Sequence, residues 1–174
     1  MSWSFVIAHT WNGHPIPPTE QVRVTLNWQQ ESPSKGLHVT IDAPYHHDPL
    51  PSSPIGSLWG LWEYEVVEVF LVDHNGHYTE LEFGPHGHYL GLKLTAPRQI
   101  SEKHLSLDYV ATIDRNRWTG KAFIAQQYLP KKLTRLNLFA IHGSGENRRY
   151  LTWSPLPGTV PNFHQPHVFP APPK

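Results

Sequence analysis

Residues 59–94 read WGLWEYEVVEVFLVDHNGHYTELEFGPHGHYLGLKL, and this stretch contains the most regular pattern in the chain. It holds three runs that are rich in β-branched and aromatic residues, at 63–72, 78–83 and 88–94. Asn75-Gly76 separates the first two runs, and Pro85-His86-Gly87 separates the last two. Asn-Gly between such runs is a strong turn signal, because both residues tolerate positive φ. The stretch therefore predicts an antiparallel meander of three strands.

Acidic residues fall at defined positions in this meander. Side chains alternate between the two faces of a strand, so Glu68 shares a face with Val66 and Phe70, and Glu80 shares a face with Glu82. A carboxylate in an apolar row is costly unless it is paired or hydrogen-bonded, which makes Glu68 a candidate functional residue. Acids that alternate with apolar residues also commonly mark the solvated face of a half-buried sheet, and this interpretation applies to Glu80 and Glu82.

The rest of the chain repeats the pattern of short strands and turn signals. Alternating apolar residues predict strands at 4–9, 22–29, 37–43, 105–113, 117–125, 135–143 and 148–153, with a turn at 32–36 and one helical turn within 126–133. The segments 44–56 and 95–103 lack a regular pattern. About ten short strands without a long helix indicate an all-β protein, an antiparallel β-sandwich. We expect a single domain over 1–174, with a Pro-rich tail from about 154 that wraps the surface.

Composition limits the classes of partner and compartment. The 174 residues contain 14 Lys and Arg and 14 Asp and Glu, so the formal charge of zero argues against an electrostatic nucleic-acid or anionic-membrane partner. The absence of Cys excludes disulfides, thiolate metal sites and cysteine nucleophiles. Neither a signal peptide nor an apolar run of roughly 20 residues is present, so we expect a cytoplasmic protein. None of these features defines the oligomeric state.

Two histidine groups have the residue types of a metal site. His86 and His88 lie close in sequence to Glu82, and His46-His47-Asp48 forms a second set. The His-x-His pair lacks the later Glu of the cupin metal motif. No cofactor is expected, and a structural calcium ion held by carboxylates is the alternative.

Catalytic motifs are scarce, whereas aromatic residues are abundant. Paired carboxylates could act as acid and base on a glycosidic bond, but there is no nucleophile elbow, phosphate loop or dinucleotide fingerprint. An enzyme is therefore less expected than a binding protein.

Seven Trp are present, and Trp59, Trp62 and Trp153 lie beside Gly, Pro or predicted strand ends, where an indole can present a flat face to a sugar ring.

Several strings resemble family 9 carbohydrate-binding modules of the DOMON-like superfamily. They are VVEVFLVD followed by YTELEFGPHG, then WTGKAFIAQQYL, LNLFAIHG, and WSP with NFHQPHVF, and together they cover about residues 59–169. A closer resemblance is to a family of uncharacterised small proteins of bacteria and animals, which shares the strings around PHG and FAIHG. Both resemblances imply a jelly-roll β-sandwich.

The resemblance also implies a ligand site. In the sugar-binding modules two Trp hold a sugar while acidic, amide and basic side chains bond its hydroxyls, and the matching positions here are Trp62, Glu68 and Trp153. This chain departs from the modules at Gly84, where they have Asn, and at His142, where they have Arg. Fold transfers more securely than sugar binding across such a resemblance.

The first hypothesis is therefore a small-molecule binding module for a carbohydrate or polyol. Its expected ligand-binding residues are Trp62, Glu68, Glu80, His142, Arg148 or Arg149, and Trp153. One alternative is a metal- or carboxylate-dependent enzyme acting on a sugar-like substrate, with Glu68, Glu80, His86 and His88. The other is an interaction scaffold without a ligand, in which the named Trp and Glu pack into the core.

Overall fold

A computed structural model describes residues 1–30 and 35–174, and these residues form an all-β structure with short 3-10 turns. The turn predicted at 32–36 lies largely outside the described residues. The strands are β1 Ser2–Ile7, β2 His9–Thr10, β3 Val22–Gln29, β4 Gly36–Pro44, β5 Val66–Asp73, β6 Tyr78–Phe83, β7 Tyr89–Ala96, β8 Gln99–Lys103, β9 Asp108–Asp114, β10 Arg117–Ala125, β11 Leu133–His142 and β12 Arg149–Thr152.

Two antiparallel sheets are present, which confirms the predicted sandwich class. One sheet has the strand order β1-β3-β4-β10-β9, and the other has the order β2-β12-β11-β5-β6-β7-β8. The predicted meander is β5-β6-β7 within the seven-stranded sheet. Its first turn has Gly76 at φ 82°, and the side chain of Asp73 accepts backbone hydrogen bonds from Asn75 and His77.

Two local predictions need correction. Residues 99–103, expected to be irregular, form the edge strand β8; all five are exposed, so no apolar alternation marks them. The first meander strand begins at Val66 rather than at residue 63, because a 3-10 turn occupies Leu61–Glu63 after Gly60 in the left-handed region at φ 84°. A short 3-10 turn at Gln126–Tyr128 matches the single helical turn expected there.

Alternate residues of the seven-stranded sheet face the five-stranded sheet and build the main core. Val67, Val69 and Leu71 of β5 belong to this core, which also contains β3 and β4 residues such as Leu26 and Ile41. We call this side of the seven-stranded sheet its inner face, and the opposite side its outer face.

The outer face is also covered, because the chain after Thr152 crosses it. Phe163 stacks on Phe139 of β11 at 4.0 Å between ring centroids, and Phe169 is fully buried in the same apolar cluster. The C-terminal segment therefore packs on this face, and the central strands β5 and β11 are covered on both sides. No helix among residues 1–30 and 35–174 is long and apolar enough to cross a membrane.

Candidate functional site

A cleft of about 390 Å³ opens on the outer face of the seven-stranded sheet. We call it the outer-face cleft. Strands β5, β6, β7 and β11 form its base, and the segments before β5 and after β12 form its sides. Its lining consists of Trp59, Trp62, Glu68, Glu80, Leu92, Leu94, Arg98, Ile100, Ile141, Tyr150, Pro161, Asn162, Phe163 and His164.

Two indoles form one side of this cleft. The tight turn at Gly60 brings Trp59 and Trp62 together edge to face, with ring centroids 5.0 Å apart. The Trp62 indole N–H donates to Glu63 Oε1 at 3.2 Å, which fixes the ring. The ammonium of Lys103 lies 5.3 Å from the Trp59 ring, a cation–π distance. The sequence-based expectation that Trp62 lines a ligand site is consistent with this placement.

The C-terminal segment forms the opposite side. Phe163 is held by its stacking on Phe139, and His164 Nδ1 lies 2.6 Å from the hydroxyl of Tyr78. Burial lowers the pKa of His164 to about 4, and the nearby charge of Arg98 acts in the same direction. The imidazole of His164 is therefore neutral at pH 7.

Three glutamates lie together on the outer face, with Glu68 and Glu80 in the lining of the cleft and Glu82 beside them. Glu68 of β5 is directly opposite Glu82 of β6, and Glu80 is the next residue of β6 on the same face. Carboxylate oxygens of all three lie within 4.8 Å of one another. The interpretation that Glu80 and Glu82 mark a solvated face is wrong: they are 4% and 0% exposed, because the segments on either side of the cleft cover this face.

These carboxyl groups have few donors around them. Both oxygens of Glu82 and one oxygen of Glu80 are buried without a hydrogen-bond partner among the described residues. Burial raises the pKa of Glu82 well above its usual range, and the charges of Glu68 and Glu80 raise it further. The pKa of Glu80 is also raised by burial, although its contact with Glu82 opposes the shift. The site therefore favours protonated carboxyls when nothing else is bound.

Arg148 is the cation that acts on this cluster. Burial and the charge of Glu80 raise the pKa of Glu68, and the charge of Arg148 opposes them. The guanidinium donates to the backbone carbonyls of Gly143, at 2.9 Å, and of Trp62, and it lies 5.9 Å from the ring of Tyr150. No ion pair within the described ranges joins Arg148 to a carboxylate. Arg148 therefore lies near the predicted site, but its N–H groups donate to backbone carbonyls.

Two predicted ligand-binding residues lie elsewhere. Trp153 packs on Phe5 of the five-stranded sheet, with ring centroids 4.8 Å apart, and contacts the inner core. His142 follows Leu138 and Ala140 along the inner face of β11, so strand alternation turns it away from the outer-face cleft. The expectation that both join Trp62 and Glu68 in one site is corrected by this geometry.

His142 instead takes part in a polar cluster at one end of the sandwich. Its Nε2 lies 2.8 Å from Glu20 Oε1, and its ring stacks on His46 at 3.5 Å between centroids. Arg149 donates to both carboxylate oxygens of Glu20, each at 2.8 Å. Arg149 is thereby paired away from the cleft. This cluster ties β12 and β11 to the segments that carry Glu20 and His46.

The histidines proposed as metal ligands are also held by other groups. His86 Nε2 bonds the hydroxyl of Tyr45 at 3.1 Å, and His88 Nε2 lies 2.9 Å from the carbonyl of Ser53. Neither belongs to the group of metal-ligating side chains that the described part of the chain brings together, which is Glu68, Glu80 and Glu82. Glu82 is thus separated from the two histidines with which the sequence grouped it.

The second histidine set is dispersed in the same way. His46 stacks on His142, His47 Nε2 lies 3.2 Å from Asn116 Oδ1, and Asp48 accepts the backbone N–H of Gly143 at 2.6 Å. These contacts fix the 44–56 segment on the sandwich. The three side chains thus have structural partners within the sandwich.

Several residues that line the cleft were not predicted from the sequence as site residues. Tyr150, Arg98, Phe163 and His164 come from segments interpreted as a short strand, an irregular stretch and a surface tail. The NFH string at 162–164 was the available signal, since it forms part of the resemblance to the carbohydrate-binding modules. Its contact with β11 is long-range, and for this reason local pattern does not reveal it.

Comparison with known proteins identifies relatives in animals. The chain is 37% identical over 176 residues to the UPF0462 protein C4orf33 homolog of Rattus norvegicus, covering 95% of this chain and 85% of the relative. It is 36% identical over 171 residues to the UPF0462 protein C4orf33 of Homo sapiens, covering 92% and 82%. None of the protein-family models compared matches the chain.

A solved structure shares the fold. A candidate carbohydrate-binding protein from Bacteroides uniformis superposes with a TM-score of 0.70, over 98% of this chain and 84% of that chain, at 14% sequence identity. At this identity the likeness concerns the fold alone, and it confirms the β-sandwich implied by the sequence resemblance.

Proposed function

The chain belongs to the UPF0462 family, and from its geometry we propose that the outer-face cleft binds a small sugar-like molecule. One observation carries the proposal: aromatic side chains border a cleft whose base holds buried carboxyl groups with unused acceptors. Aromatic faces suit the apolar side of a sugar ring, and carboxyl oxygens suit its hydroxyl donors. The fold shared with a candidate carbohydrate-binding protein supports this proposal.

The volume of the cleft limits the size of the ligand it can hold. Its volume of about 390 Å³ lies near the lower end of the range of roughly 300–1,000 Å³ that is typical of small-molecule sites. A monosaccharide or a comparable cyclic polyol is therefore a better match than a polymer chain. We expect an affinity in the micromolar to millimolar range, or about −8 to −4 kcal/mol.

Titration calorimetry with a panel of neutral monosaccharides and cyclic polyols tests the proposal. We expect saturable binding of at least one sugar, and a loss of at least tenfold in affinity for Trp62→Ala, because the substitution removes a ring that borders the ligand. Trp28→Phe is the matched control, since Trp28 packs against the inner core, outside the cleft lining. A lack of binding by every sugar tested would exclude the proposal.

Carboxylate-dependent hydrolysis of a sugar-like substrate is a second candidate, because the three carboxyl groups converge and burial raises their pKa values. Glycosidases place their two acids on either side of the scissile bond, whereas Glu68 and Glu80 lie together at the base of the cleft, with Glu82 behind them. The geometry therefore favours binding over hydrolysis. Release of nitrophenol from aryl glycosides, lost in Glu80→Gln, would reverse this order.

A further inference from the structure

The carboxyl groups at the base of the outer-face cleft and directly behind it have few hydrogen-bond donors around them. Glu82 has two buried oxygens without a partner among the described residues, and Glu80 has one. An unpaired acceptor at a fully desolvated position is unfavourable, and more so when it is charged. Something that binds in the cleft can relieve this cost by bringing donors or positive charge.

The cations of the protein do not fill this role. The contacts of Arg148 are with backbone carbonyls, and Arg98 donates to Asn162 Oδ1 at 3.3 Å on the other side of the cleft. No ion pair within residues 1–30 and 35–174 includes Glu68, Glu80 or Glu82. His164 is neutral at pH 7, as described above. Three carboxyl groups therefore face one nearby guanidinium, Arg148, that is bonded elsewhere.

The sides of the cleft are also suited to a cation. Trp62, Tyr150 and Phe163 line it with aromatic rings, and such rings attract ammonium groups, most strongly when the group is desolvated. A protonated amine offers up to three N–H donors and a full charge. A hydroxyl group offers one donor and no charge.

We propose that the outer-face cleft selects a sugar-sized ring that carries a protonated amine, and that the ammonium group binds between Glu68 and Glu80 with Glu82 behind them. The simplest ligand of this class is an amino sugar. This inference rests on the proposed sugar-like ligand, and it adds the charge by which the cleft would distinguish one sugar from another.

Proton linkage gives the inference a distinctive signature. In the empty cleft burial keeps carboxyl groups protonated, so an ammonium ion must displace a proton as it binds. A neutral sugar has no such requirement. We therefore expect the amino sugar to release protons on binding, and its affinity to rise between pH 5 and pH 7.

The experiment is calorimetry of the full chain with glucosamine, glucose and N-acetylglucosamine, at pH 5 and pH 7, in two buffers of different ionisation enthalpy. We expect glucosamine to bind about tenfold more tightly than the two neutral sugars at pH 7, with measurable proton release. Glu80→Gln should bring the affinity ratio of glucosamine to glucose close to one. Glu65→Gln, at a buried acid outside the cleft lining, should leave the ratio unchanged.

Three outcomes would overturn the inference, and they are distinguishable. Equal binding of glucosamine and glucose would remove the charge selectivity and leave the proposed function standing. A lack of binding by any sugar would remove both. Stoichiometric binding of Ca²⁺ that glucosamine fails to displace would identify the three glutamates as a metal site. A thermal melt of each variant controls for folding.

Discussion

Glu82 shows at the scale of one residue why the outer-face cleft is chemically unusual. Its side chain is fully buried, and among the described residues only the neighbouring carboxyl groups, when protonated, can donate to its oxygens. The backbone N–H of Trp62 is near enough to oppose the pKa shift without reaching hydrogen-bond geometry. Because burial raises the pKa in the folded state above that of the unfolded chain, Glu82 lowers stability as pH rises through the folded-state pKa.

Glu82→Gln should therefore stabilise the protein at high pH. Gln has nearly the shape of a protonated Glu and does not ionise, so we expect nearly equal free energies of unfolding at pH 4 and a higher free energy of unfolding for the variant at pH 8. Urea denaturation at the two pH values measures this. Parallel pH profiles for the variant and the natural protein would contradict it.

Glu20 represents the opposite case. Burial pushes its pKa upward, but hydrogen bonds from Arg149 and His142 outweigh burial and hold the pKa below its usual range. A lowered folded-state pKa contributes stability above the unfolded-state pKa and loses it as pH falls through the folded-state value.

Glu20→Gln should cost about 1 kcal/mol at pH 7, at the lower end for charged hydrogen bonds because Arg149 is 41% exposed and solvent screens it. The difference from the natural protein should shrink as pH falls below about 4.5. Thermal melts between pH 3 and pH 7 follow this change. A difference that stays constant over the range would show that the ion pair is not its source.

The C-terminal segment determines the site at the scale of elements. It was predicted to wrap the surface, and the structure shows that it covers the outer face of the seven-stranded sheet and supplies Phe163 and His164 to the cleft. Most strand positions and the meander could be predicted from alternation and turn residues, although β8 could not. Which face the tail covers depends on contacts such as the one between Phe163 and Phe139, which are distant in sequence and leave no local pattern.

Phe169→Ala tests the contribution of this segment. Phe169 is fully buried, and truncation of a buried Phe typically costs about 3–5 kcal/mol. Its neighbour Val168 is 39% exposed, so Val168→Ala is the matched control and should change stability by less than about 1 kcal/mol. Chemical denaturation of both variants gives the comparison. Equal, small effects would mean that the segment is not anchored on the sheet.

The residues of the candidate site show what strand alternation can predict about the whole molecule and what it cannot. Alternation placed Glu68, Glu80 and Glu82 correctly on shared faces, and β5-β6 pairing brings them together. The same rule puts His142 on the inner face of the sheet, whereas Glu68 is on the outer face. The sequence did not predict this separation, because it does not show that β11 pairs with β5. Trp153 was assigned from its place at a predicted strand end and from the resemblance, and its contact with Phe5 depends on how the two sheets pack.

The most direct measurement of ligand binding uses the seven indole N–H groups as reporters. In a ¹H–¹⁵N NMR titration with the sugar that binds best, the account predicts that the signals of Trp59 and Trp62 shift with the ligand concentration, because both rings line the cleft. The signals of Trp28 and Trp118, which belong to the inner core, should stay in place. Saturable binding that leaves Trp59 and Trp62 unmoved would contradict a ligand site in the outer-face cleft.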